Sequence, residues 1–168
     1  MNQRMDDAML PSVLDSVRRR AAESGRFASV EAEGGALVCA ARDPAAPAWY
    51  RVFAAGGRVW VALETTDRYL SQSIEQDLVH TGDRLEELFD EELADVALRL
   101  GLRGAMPSAR SPKFEHFRDE RKRFTFRMPV AFEGLGDSEA ADRALLFLLA
   151  CEQTFRPLGE MEAGDDAE

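Results

Sequence analysis

The two histidines are the first residues whose chemistry could matter in this sequence. His80 lies between Asp77 and Asp83, and His116 follows Glu115 with Asp119 close behind. Carboxylates grouped with an imidazole can hold a divalent ion if a fold converges them, but neither histidine shows the HxH, HxxxH or HExxH spacing that sets two ligands on one face. A capping or core-edge role is expected for both, with no metal site and no cofactor. Ser71 and Ser73 lack the Gly-x-Ser-x-Gly context of a strained nucleophile turn, and Cys39 sits in an alternating stretch without a neighbouring His or Asn. The glycine pairs 34–35 and 56–57 precede neither Lys-Ser/Thr nor a helix start, so they read as hairpin turns and not as phosphate loops. No catalytic motif emerges, and the expectation is a protein that is not an enzyme.

Charge says more than any motif. Residues 64–95 hold eleven acidic and two basic side chains, whereas residues 110–127 hold seven basic and three acidic ones. The two segments are electrostatic complements. They can pair within one molecule, or the basic hairpin can dock an acidic segment of a second subunit or of a partner. Exposed ion pairs contribute only about 0–1 kcal/mol each, so charge would set orientation and rate while apolar surface supplied the affinity. The whole chain carries a formal net charge of −10, which disfavours nucleic acid and anionic lipid as partners.

The side chains best suited to gripping a partner are Trp49, Phe53 and Trp60, because aromatic residues dominate binding hot spots. Arg123 and Arg127 join them as cationic candidates, and Leu146, Phe147 and Leu149 as apolar ones. An alternative grouping places Trp60, His116, Arg123 and Arg127 around a pocket in which the arginines hold a small anion. A pocket above about 300 Å³ with converging polar groups would favour that ligand-binding reading, and a flat or grooved apolar patch would favour protein docking.

These residues need elements to position them. With 168 residues, 45% of them hydrophobic, the chain suffices for one core of ordinary size. Pro11 can open a helix whose apolar stripe is Val13, Leu14, Val17 and Ala21, closed by Gly25. Two hairpins follow, residues 27–41 around Gly34-Gly35 and residues 49–64 around Gly56-Gly57. Leu70, Ile74 and Leu78 recur every four residues, which fits a helix or a strand and is read here as a helix. Asp83 as N-cap and Glu86 three residues later predict the start of another helix, with Leu85, Leu88, Phe89, Leu93, Val96 and Leu100 inward and Gly101 as its stop. In a last hairpin Phe124, Phe126 and Met128 alternate with Arg123, Thr125 and Arg127, giving an aromatic face and a cationic one. The final helix starts near Asp137 or Ser138 and carries five consecutive apolar residues, 145–149. They cover more than half of its circumference, so it must lie under several elements or offer a second apolar face to another subunit.

The segment FTFRMPVAFEGLGDSEAADRALLFLLACEQTFRPLG, residues 124–159, resembles the YbjN family of bacterial sensory transduction regulators, with the type III secretion chaperone-like fold. It shares a strand leaving a charged turn, a short Gly-containing connection, and a long apolar helix with a Phe-Arg-Pro stop. The order of elements extends the likeness over most of the chain, although residues 67–82 have no place in the family pattern. The resemblance implies an α+β homodimer that binds other proteins without catalysing a reaction.

The expected architecture is thus an antiparallel sheet of hairpins with N-terminal, middle and C-terminal helices packed on it, as one domain over residues 10–159. A loose N-terminus, 1–9, and an acidic tail, 160–168, flank it. Arg4, Asp6 and Asp7 argue against a signal peptide or membrane anchor, and the apolar run 144–151 is too short to span a bilayer. Together with two cysteines that lack any paired motif, this predicts a cytoplasmic protein. Its function is expected to be that of a regulator-like or chaperone-like interaction module, dimeric and bound to a protein client, with a small-ligand (anion) binding domain or an enzyme of unspecified activity as the alternative.

Overall fold

A computed structural model describes residues 9–108 and 112–159. The expected loose N-terminus, apart from residue 9, and the acidic tail lie outside the described residues. The architecture is α+β. Six strands form one sheet in the order β1-β2-β3-β4-β6-β5, every neighbouring pair antiparallel. They are β1 (Phe27–Glu33), β2 (Ala36–Ala41), β3 (Ala48–Ala55), β4 (Arg58–Thr65), β5 (Glu115–Arg118) and β6 (Phe124–Val130). Four helices pack on the sheet: α1 (Leu10–Ser24), α2 (Arg68–Thr81), α3 (Leu85–Leu100) and α4 (Asp137–Phe155). Residues 68–81 are therefore helical. Asp67 accepts a hydrogen bond from the Leu70 amide at 2.8 Å to start α2, and Gly82 ends it at φ 76°, a left-handed conformation that glycine adopts without a Cβ penalty.

The α3 cap differs from expectation, whereas α4 starts at Asp137 as expected. Arg84, not Asp83, occupies the N-cap of α3, and no side chain caps it; Glu86 turns instead to accept a hydrogen bond from the Phe114 amide at 3.0 Å, tying the helix to the approach of β5. At α4 the N-cap is Gly136, with Asp137 as the first helical residue, and the Glu139 carboxylate reaches back to the Gly136 amide at 3.2 Å. At each start a nearby glutamate takes up a free amide.

Alternation along the strands sorts the sheet into two faces. Leu37 and Cys39 of β2, Tyr50 and Val52 of β3, Val61 and Leu63 of β4, and Phe126 and Met128 of β6 form the inner, buried set. On this side α4 touches β3, β4 and β6 while α1 and α3 press on its flanks. A chain of rings, Phe126 to Phe155 to Phe114 to Phe89 to Phe147, runs from sheet to α4 to α3 with centroids 5.4–5.6 Å apart. Arg143 of α4 fastens the connections, donating to the carbonyls of Ala105 at 2.7 Å and Ala131 at 2.8 Å.

This arrangement corrects one expectation. Every residue from Ala144 to Cys151 is buried within the single chain, and Leu146 and Leu148 are 0% exposed. Of the two ways to cover α4, cover by several elements of its own chain is the one adopted. Leu146, Phe147 and Leu149 are core residues, and the helix has no second apolar face left for another subunit.

Leu146→Ala should lower the unfolding free energy by about 2–5 kcal/mol, the usual cost of a large cavity in a rigid core, whereas Leu98→Ala on the exposed flank of α3 should cost about 0.5 kcal/mol or less. Denaturant titration distinguishes them. Cys39 and Cys151 are free and buried, and burial pushes the Cys39 thiol from 9.0 up to about 12. Neither thiol should react with a thiol reagent until the protein unfolds. Because the unfolded thiol ionises near its ordinary value, stability should fall as pH rises from 9.0 towards about 12, and the fall should be shallower in Cys39→Ala.

Candidate functional site on the helix-free face of the sheet

The outer set of side chains carries the unusual chemistry. Register places them in rows across the sheet. One row runs Ser29, Ala40, Trp49, Glu64, Thr125, Phe117, and the next runs Glu31, Val38, Arg51, Ala62, Arg127, Glu115. Phe53 and Trp60 stand opposite each other in a third. An outer sheet face usually turns small polar groups to water. Here it carries two tryptophans, two phenylalanines and a set of arginines, with Trp60 buried among them.

Glu64 is the hub. It is 1% exposed, and its carboxylate accepts hydrogen bonds from Arg51 at 2.7 Å, Arg121 at 3.0 Å and Arg123 at 3.1 Å. A carboxylate so far from water is stable only when its oxygens are satisfied by charged donors. The β5–β6 turn delivers two of them. Asp119 Oδ1 accepts from the amides of Arg121 and Arg123, both at 2.9 Å, and Lys122 takes a left-handed φ of 62°. The tight turn folds both guanidinium groups back over the sheet.

Each arginine then finds a ring. Arg123 lies 4.4 Å above Trp49, Arg51 lies 4.8 Å from Phe53, and Arg127 lies 3.8 Å from Trp60 and 4.9 Å from Phe117. Glu115, directly across from Arg127, holds its guanidinium at 2.9–3.0 Å. Cation–π contacts contribute about 0.5–1 kcal/mol at exposed sites and about 2 or more once water is excluded, so the set both covers the rings and fixes their orientation. The Trp60 indole also donates to the Ala55 carbonyl at 3.0 Å. Ala62 adds only a methyl between Arg51 and Arg127, and a trough of about 440 Å³ opens there, lined by Arg51, Phe53, Glu64, Phe117, Arg121 and Arg127.

Five of the expected contact residues, Trp49, Phe53, Trp60, Arg123 and Arg127, thus meet on one surface. His116 does not join them. It lies on the inner side, stacked on Phe126 with centroids 3.8 Å apart, so the expected pocket of Trp60, His116, Arg123 and Arg127 does not form. Arg51, Glu64, Phe117 and Arg121 belong to the site without having been expected there. Cross-strand alternation could have found Arg51 and Glu64; Arg121 depends on the turn geometry.

His116 has its own partners. Ser71 Oγ is 3.2 Å from Nε2 and Glu75 Oε2 is 3.1 Å from Nδ1, the hydrogen-bond order of nucleophile, base and orienting acid. Ser71 is 2% exposed, however, which closes its hydroxyl to a substrate. The trio clamps α2 to the sheet edge. Among the described residues, no three or more His, Cys, Asp or Glu side chains are grouped to hold a metal ion.

No family model, curated protein or solved structure matches the chain. No helix among the described residues is long and apolar enough to cross a membrane.

Glu64→Gln should cost about 3 kcal/mol, the low end for breaking a buried pair, since it strands Arg51 while Arg121 and Arg123 retain access to water. Glu115→Gln should cost about 0–1 kcal/mol, because that carboxylate is half exposed. Equal losses in thermal or denaturant unfolding would show that the hub is no more than a surface pair.

Proposed function

We propose that this chain is a non-enzymatic protein-interaction module, regulator-like or chaperone-like, that holds a protein client on the helix-free face of its sheet. One observation carries the reading: Trp49, Phe53, Trp60 and Phe117 lie together on a face that no helix among the described residues covers, each beneath an arginine. Aromatic residues and arginine are the types that dominate interface hot spots, and rings already held in place lose little freedom when a partner arrives. The resemblance of residues 124–159 to the YbjN family agrees with this. The homodimer which that likeness implies would have to pair through this face or a sheet edge, since α4 is enclosed. A cytoplasmic setting suits two unpaired thiols, and the net charge of −10 speaks against nucleic acid and anionic membranes as partners.

The trough itself favours a second reading. Its volume of about 440 Å³ and its converging arginines would suit a small anion. Against this, Arg51, Arg121 and Arg123 already share Glu64, and Arg127 is held by Glu115, so the positive charge is spent within the molecule.

Trp49 and Trp60 are the two tryptophans of the chain, so intrinsic fluorescence reports on this face. The wild-type protein should retain from native extract a protein that the folded Trp49→Ala/Phe117→Ala variant loses, and the purified partner should shield the indoles from acrylamide. Identical retention by both proteins would refute docking at this face. Stabilisation by small anions, abolished in Arg121→Ala and accompanied by no captured protein, would install the ligand reading instead.

A further inference from the structure

Strand β1 ends the sheet, and among the described residues its outer edge has no partner strand. An unpaired edge exposes a row of amides and carbonyls, which proteins usually blunt with charge, bulges or short length. β1 is seven residues long, and five of them are exposed, among them the small Ala28, Ser29 and Ala32, so little side-chain bulk screens its backbone. Its one irregularity, the register shift between Phe27 and Ser29, lies at the end away from the hairpin turn.

Two further features lie beside this edge. On the inner side, a groove of about 350 Å³ opens between α1 and the β1–β2 hairpin, lined by Leu10, Leu14, Ala32 and Leu37 with Asp15 and Arg18. On the outer side, Glu31 and Glu33 stand in the strand's outward register, opposite Val38 and Ala36. Each side therefore asks for a different kind of side chain, and alternate residues of one added strand supply both.

We propose that β1 accepts an added strand from a partner segment that alternates apolar and basic residues. The apolar side chains enter the groove beside Leu10 and Leu14, and the basic ones face Glu31 and Glu33. Charge decides against a second copy as the occupant. Two β1 strands paired with each other would bring the glutamates of both copies onto one face, and like charges across a strand pair are destabilising. The net charge of −10 adds to that repulsion and attracts a basic segment. Glu31 shares the outward row of Arg51 but lies two strands away from it, and occupation of the edge does not depend on a client at the arginine and aromatic layer.

The test uses the full chain and a short fluorescent peptide of alternating lysine and valine, followed by anisotropy. Binding should weaken about tenfold or more when alternate peptide amides are N-methylated, which blocks one ladder edge, and when lysines and valines are segregated into two blocks. The exposed double substitution Glu31→Lys/Glu33→Lys should weaken the lysine peptide about as much and admit a glutamate and valine peptide in its place. Hydrogen exchange should show new protection of β1 amides on binding. The proposal is overturned if the block or N-methylated peptide binds as tightly as the alternating one, if the double variant binds the lysine peptide unchanged, if β1 gains no protection, or if the alternating peptide does not bind.

Discussion

Enclosing α4 is the constraint on which the rest of the structure depends. A helix apolar around most of its circumference cannot lie on a sheet with its back to water, so the chain must supply walls on every side. The sheet is the floor, α1 and α3 are the sides, and the short 3-10 turn Arg103–Ala105 and its neighbours close one end. This requirement commits α1, α3 and α4 to one face of the sheet, and α2 is clamped at its edge through His116. What remains is a six-stranded sheet whose other face must be made compatible with water by its own side chains.

The solution on that face is a layer of arginines. Lysine would cover the rings with a mobile, strongly hydrated point charge, whereas a planar guanidinium can lie flat on an aromatic ring and still donate to a carboxylate in its own plane. Arg123 does both, resting on Trp49 while bonded to Glu64. Arg127 does the same between Trp60, Phe117 and Glu115. The acidic and basic segments of the sequence thus meet partly within the molecule, at Glu64 with Arg121 and Arg123 and at Glu75 with His116. The acids Glu87 and Glu91 of α3 face outward and are exposed.

Strands and helices were legible because local signals agreed with one another: paired glycines at both early hairpins, period-two alternation in β4 and β6, and glycine stops after α1 and α3. The inward and outward sets of β6 were legible for the same reason, and with them Arg123 and Arg127, two of the four arginines of the site. The fate of α4 was not, because a one-dimensional pattern states how much apolar surface a helix has but not how many neighbours the topology will bring to it. His116 has the expected core-edge position, and only the alternative pocket grouping misplaced it, for a related reason. Its partners Ser71 and Glu75 sit one turn apart on α2, but only the packing of α2 beside β5 turns that spacing into a contact. The α3 cap fell on Arg84 and not Asp83, and the Glu86 carboxylate that a capping box would use is bonded instead to the Phe114 amide, a contact that local sequence does not register.

Glu64 raises the question of why a buried carboxylate should occupy the centre of a sheet face at all. An apolar residue of similar volume there would avoid the desolvation of the charge and, taken alone, would be neutral or stabilising. It would also leave Arg51, Arg121 and Arg123 without their shared acceptor, and nothing would then hold those guanidinium groups in fixed positions above the sheet. Side chains as long as arginine carry roughly 2 kcal/mol of rotamer entropy, which a free surface keeps and a docking surface must surrender on binding. Drawing three arginines onto one carboxylate settles that cost during folding, as the proposed docking role requires. Global stability alone gives Glu64 little justification, while the docking role proposed above would give it a direct one, and the same logic applies to Glu115 opposite Arg127 at the far end of the row.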